Sequence, residues 1–127
     1  MITLEEIREI HRETIEMDKH DNPDDYAPGE LYIAIVELML IYKMDLTKSV
    51  YYNAAVALHT IASQHPFNNG NKRTASATAL IILKNEGINF TINEEVKTDF
   101  IKDVATPEKN ISITDVEEWL KNNTKKN

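Results

Sequence analysis

The sequence predicts an all-α fold: one helical domain built on a central antiparallel helix pair, with a polar, glycine-containing loop at the N-terminus of the second helix of that pair. Three observations predict it. Apolar residues recur at helical spacing along most of the 127 residues. Ser/Thr-x-x-Glu pairs that cap helices stand at Thr3 with Glu6 and at Thr114 with Glu117. Two alanine-rich apolar stretches flank the short polar segment HPFNNGNKR, which is too short for anything but an antiparallel return. A chain of this length fits a single domain over residues 1–127, because cores of this size normally stay undivided.

Element by element, Leu4, Ile7, Ile10, Ile15 and Met17 place a helix over residues 4 to 18 behind the Thr3 cap. DKHDNPDDYAPG, residues 18 to 29, combines charge, proline and glycine and reads as a surface loop. ELYIAIVELMLIY, residues 30 to 42, is either a buried helix or a strand pair; its length and the Glu30 to Glu37 spacing favour the helix. Thr47 or Ser49 caps a helix to residue 64, where Ala54, Ala55, Ala57 and Ala62 permit close packing. Pro66 ends it, and because a residue before proline avoids the helical conformation, His65 becomes the first loop residue. From Asn71 or Lys72 to Glu86 a nearly all-buried helix follows, with Ala75, Ala79, Leu80 and Leu83 apolar and Gly87 in the C-terminal position. INFTINEE is extended before a helix near 94 to 105, the Thr114 to Glu117 box opens a helix carrying Trp119, and the tail over 121–127 is expected to fray.

Composition limits the function classes. Asp and Glu outnumber Lys and Arg, 21 to 14, giving a net charge of −7 that opposes broad attraction to nucleic acid or to anionic membranes. There is no cysteine, which removes disulfides and thiolate zinc sites, and no apolar run long enough to span a bilayer, so a soluble cytoplasmic protein is expected. Any cationic site has to be local.

Such a site is HPFNNGNKRTA, residues 65 to 75. A loop that runs into a helix start offers backbone N–H groups at the positive end of the helix dipole, which suits an anion. Gly70 allows close backbone approach. Lys72 and Arg73 sit in the first turn, where a cation opposes the dipole by about 0.3–1 kcal/mol unless an anion compensates. Arginine forks onto phosphate oxygens, lysine adds a point charge, and His65 can take a proton near neutral pH. Each type also has an ordinary use: His65 as a helix cap or packed ring, Phe67 as an apolar anchor, Asn68 and Asn69 as loop formers, Lys72 and Arg73 as solvated charges. His11, His20 and His59 read as packed side chains.

The motif resembles that of the Fic-domain proteins, and within them the Doc (death-on-curing) branch: His-x-Phe-x-Asp/Glu-Gly-Asn followed by Gly/Lys-Arg. His65, Phe67, Gly70, Asn71, Lys72 and Arg73 stand at those places. The opening TLEEIREIHRETI, the helix AAVALHTIAS, the stretch TASATALIILKNEG and the late VEEWL extend the resemblance over most of the chain. The resemblance implies a Fic-like helical domain in which His65 is the general base that deprotonates a hydroxyl of a target protein. It further implies that Asn69, Gly70, Asn71, Lys72 and Arg73 hold the phosphates of ATP, the co-substrate, with Mg2+.

Lys72 in place of glycine, and RTA without a second arginine, look like the Doc branch, which transfers the terminal phosphoryl group; AMP transfer is the alternative, and a catalytically silent binding module another. Asn69 occupies the acidic position of the motif, and an amide is a poorer magnesium ligand than a carboxylate. Glu86 is the only glutamate followed by Gly or Asn, and Ile82 stands where the inhibitory motif of the family has a hydroxyl, so restraint in cis is not expected. A Doc-like toxin is neutralised by a small antitoxin protein, the expected partner beside the protein substrate. A target-docking flap is expected around Tyr42, Met44 and Leu46, for which a plain interhelix turn is the other reading.

Overall fold

The computed structural model describes residues 3–21, 43–45, 47–65 and 70–127. Among them are five α-helices: α1 (Leu4–Asp21), α2 (Val50–Gln64), α3 (Asn71–Lys84), α4 (Glu94–Val104) and α5 (Ile113–Asn122). Two short strands, β1 (Ile88–Phe90) and β2 (Thr124–Lys126), and a 3-10 turn at Pro107–Lys109 complete the described elements. The expected all-α class is what is observed. The loop and helix expected between residues 22 and 42 lie outside the described residues.

Local chemistry accounts for the helix starts. Thr3 caps α1 as expected: its hydroxyl accepts from Glu6 N at 3.1 Å while its own N–H donates to the Glu6 carboxylate at 3.0 Å. The helix continues past residue 18 to Asp21, because charge alone does not stop a helix. Of the two candidate caps for α2, Ser49 does the capping, its hydroxyl accepting from Tyr52 N at 3.2 Å. Asn93 caps α4 by accepting from Val96 N at 2.9 Å. The box on α5 is displaced from the expected pair: Ser112 and Asp115 exchange both bonds, and Thr114 with Glu117 does not form it. Glu117 instead accepts from the Ser49 hydroxyl at 3.3 Å, tying the start of α2 to α5.

The core lies between α2 and the helices around it. Ala54, Ala55, Ala57, Leu58, Ile61 and Ala62 of α2 are fully buried, as are Ala75, Ala79 and Leu83 of α3. Small side chains let the two helices approach closely along their length, and the short return between residues 65 and 70 makes them antiparallel. α1 closes the α3 side with Ile7 and Ile10, and α5 covers α2 with Val116 and Leu120. α3 is less buried than the sequence predicts: Lys72, Arg73, Ile81 and Lys84 are exposed, leaving one face open.

The tail is a correction as well. Residues 124 to 126 do not fray but pair antiparallel with β1, Ile88 opposite Lys126 and Phe90 opposite Thr124. The ladder is extended at both ends by Thr91 N to Asn123 O and by Asn127 N to Gly87 O, each 2.9 Å. Gly87, with φ +72°, makes the left-handed turn that brings β1 back after α3. Trp119 stacks on Phe100 with ring centroids 4.1 Å apart and meets Phe90 at 5.9 Å, joining α5, α4 and β1. Beside them Lys97 is buried over the Phe90 ring and paired with Glu94 at 2.6 Å.

Candidate functional site

Antiparallel packing brings the C-terminus of α2 and the N-terminus of α3 to one end of the helix pair, where the described motif residues His65 and Gly70 to Arg73 stand. His65 leaves α2 as expected, exposed and in left-handed backbone with φ 50° and ψ 60°. A non-glycine residue there costs about 1–2 kcal/mol, since Cβ crowds the following carbonyl. Gly70 is the N-cap of α3 with φ 75°, a conformation open to glycine at little cost. It provides no side-chain cap. The first intrahelical bond is made by Thr74 N to Gly70 O at 2.9 Å, so the N–H groups of Asn71, Lys72 and Arg73 point out of the helix end.

The side chains around that end differ in burial. Asn71 is buried, while Lys72 and Arg73 are exposed within the first turn, which contains no acidic residue. Backbone N–H groups, the positive end of the helix dipole and the cationic residues Lys72 and Arg73 thus share the start of α3, where an anion is favoured, and His65 stands just past the end of α2. Chemically, that arrangement can hold a phosphate group and take a proton beside it.

The other sequence-predicted residues divide into two groups. Phe67, Asn68 and Asn69, and Tyr42 and Leu46 of the expected flap, lie outside the described residues. Met44 is described, and it is a core residue at 8 % exposure. Its segment is fastened to the start of α2: Asn53 accepts from Asp45 N and donates to Asp45 O, each at 3.0 Å, and the Tyr52 hydroxyl donates to Lys43 O. At 1.5 Å per residue, Asn53 lies about 18 Å along the helix from His65. The Met44 side chain is therefore packed in the core beside the start of α2. Asp45 itself is held below the usual carboxylate range by the Thr47 hydroxyl and the Thr47 N–H.

Of the remaining histidines, His59 places Nε2 at 2.9 Å from Ile111 O and His11 is buried, both as packed side chains. Thr74 went unremarked in the sequence: it is fully buried one turn inside α3, with no hydrogen-bond partner for Oγ1. The readable signal was a hydroxyl set among alanines directly behind the cationic pair. No group of three or more His, Asp or Glu side chains among the described residues is placed to hold a metal ion.

An all-helical domain with an anion-favouring helix start beside a histidine is the class that this geometry defines. A model of the Fic/DOC family matches residues 1–83, and the chain belongs to that family. The match ends inside α3, so α4, α5 and both strands lie beyond it. No curated protein matches the chain. Membership points to transferase-type chemistry, and none of the helices among the described residues is long and apolar enough to cross a membrane.

Proposed function

We propose that the chain is a Doc-like toxin of a toxin–antitoxin pair, acting in the cytoplasm, which moves the terminal phosphoryl group of ATP onto a hydroxyl of a target protein. The observation that carries this reading is the first turn of α3: Lys72 and Arg73 stand exposed behind a left-handed Gly70, at the same end of the helix pair as His65. A cation in the first turn of a helix opposes the helix dipole, and a bound triphosphate would offset that. The family resemblance adds that a lysine stands at position 72, where typical AMP-transferring members have glycine, and a bulky cation there would change which end of the triphosphate fits beside His65.

In this scheme the phosphates lie on the N–H groups of residues 70 to 73, Arg73 forks onto their oxygens, and Asn69 and Asn71 complete the cradle. His65 takes the proton of the target hydroxyl as its oxygen attacks the γ phosphorus. The bond from that phosphorus to the bridging oxygen breaks, and ADP leaves with the electron pair. Positioning and electrostatic stabilisation carry most of such a reaction. Mg2+ would accompany the ATP phosphates, with Asn69 as the candidate to give it a carbonyl oxygen.

The test uses purified protein with Mg2+ and ATP labelled separately at the α and γ positions, added to a cell extract, with His65→Ala as control. Label transferred from the γ position and lost in His65→Ala is the expected result. Histidine-dependent transfer of the α label would replace the reading with AMP transfer. ATP binding without any histidine-dependent label would make the protein a silent binding module, the outcome to which the amide at Asn69 inclines. Capture of a small co-encoded protein that suppresses the label would support the antitoxin partner.

A further inference from the structure

Thr74 sits in the fourth position of α3, immediately behind the cationic pair. Its side chain is fully buried and Oγ1 has no hydrogen-bond partner. Helical Cβ atoms tilt toward the N-terminus, so a side chain at this position lies over the turn formed by Gly70 and Asn71. Asn71, Thr74 and Thr78 follow at i, i+3 and i+7, forming one buried polar line that runs inward from the helix end. A buried hydroxyl without a partner is unfavourable, and valine would fill the same space without that cost.

We infer that Thr74 is a positioning residue of the phosphate site: its hydroxyl bonds to the Gly70–Asn71 turn when an anion draws that turn's N–H groups outward. The inference rests on the phosphate-site reading proposed above. Helical threonines ordinarily donate to the carbonyl three or four residues earlier, which for Thr74 means Asn71 or Gly70. Gly70 O already accepts from Thr74 N. A reorientation of the turn's peptides on anion binding, N–H groups outward and carbonyls inward, would supply the second bond. A bond made only in the loaded form adds to affinity and nothing to the stability of the unloaded protein. Thr78 has the same burial and the same unpartnered hydroxyl but lies one turn deeper, which makes it the internal control.

The experiment compares the full chain with Thr74→Val, Thr74→Ser, Thr74→Ala and Thr78→Val, reading ATP affinity by calorimetry and thermal midpoint without nucleotide. Thr74→Val is expected to melt at or above the parent temperature yet bind ATP about three- to tenfold more weakly, the worth of one hydrogen bond. Thr74→Ser is expected to restore affinity, and Thr78→Val to keep it. The Ser and Ala variants differ only in the hydroxyl and give the same reading should valine not be accommodated. Parent-like affinity in Thr74→Val, or in Thr74→Ala, overturns the inference alone. An equal loss in Thr78→Val overturns it too, since the effect would then belong to the buried polar line as a whole. No ATP binding by the parent protein overturns the phosphate-site reading itself.

Discussion

Ser112 and Asp115 show how much one residue's placement decides. Ser112 has extended backbone, φ −89° and ψ 168°, and accepts from Asp115 N at 3.1 Å, while Ser112 N donates to the Asp115 carboxylate at 2.9 Å. Ser112→Ala should therefore cost about 1 kcal/mol, and Thr114→Ala should leave stability within about 0.5 kcal/mol of the parent, measured by urea denaturation. The reverse order would return the cap to Thr114. The bond from the Ser112 backbone, and then that with its hydroxyl, hold the Asp115 carboxyl below its ordinary 3.8. A depressed folded-state value stabilises the fold above the unfolded value and loses that contribution as pH falls through the folded one. Asp115→Asn should accordingly flatten part of the stability loss that develops below about pH 4. The sequence pattern Ser-x-x-Asp at 112 to 115 was as readable as Thr-x-x-Glu at 114 to 117. Two overlapping boxes compete, and the extended backbone at Ser112 makes that residue the cap.

Helices were legible because their signals are local: spacing, caps and Pro66 lie within a few residues of what they control, and α2 and α4 begin and end within a residue or so of expectation. Strand pairing is not local. Nothing in Thr124-Lys125-Lys126 announces a strand, since its partner β1 is far away in sequence and the ladder bonds run between backbones. The ladder predicts slow amide exchange at Thr91 and Asn127, whose N–H groups donate to Asn123 O and Gly87 O. Truncation after Asn123 should destabilise by about 1–3 kcal/mol as Ile88, 2 % exposed, regains water. A frayed tail would give exchange at the open-chain rate and a truncated protein as stable as the parent. The open face of α3 escaped notice for a similar reason: whether Ile81 is covered depends on which other helix arrives, and 37 % of it is not covered.

At the scale of the whole molecule, a net charge of −7 surrounds a first turn of α3 that holds two cations and no acid, so the charge balance pointed away from polyanions while the motif pointed to one small anion. The motif was legible as chemistry because its residue types are unusual together; the geometry that unites them comes from the antiparallel return, which only a folded helix pair provides. That return places His65 where a glycine would serve the fold better, in left-handed backbone just past the end of α2. Strain of this kind persists where the side chain has a use that outweighs it. His65→Gly then separates folding from function. Relief of the Cβ clash is worth about 1–2 kcal/mol, offset by about 0.5–1 kcal/mol from the greater freedom of glycine in the unfolded chain. The variant should equal the parent or exceed it by up to about 1.5 kcal/mol in denaturation, while histidine-dependent labelling of the target disappears. Unchanged labelling would remove His65 from the chemistry. A loss of more than about 1 kcal/mol would instead show the imidazole holding the helix end, because only a packed or capping ring contributes stability that glycine cannot replace.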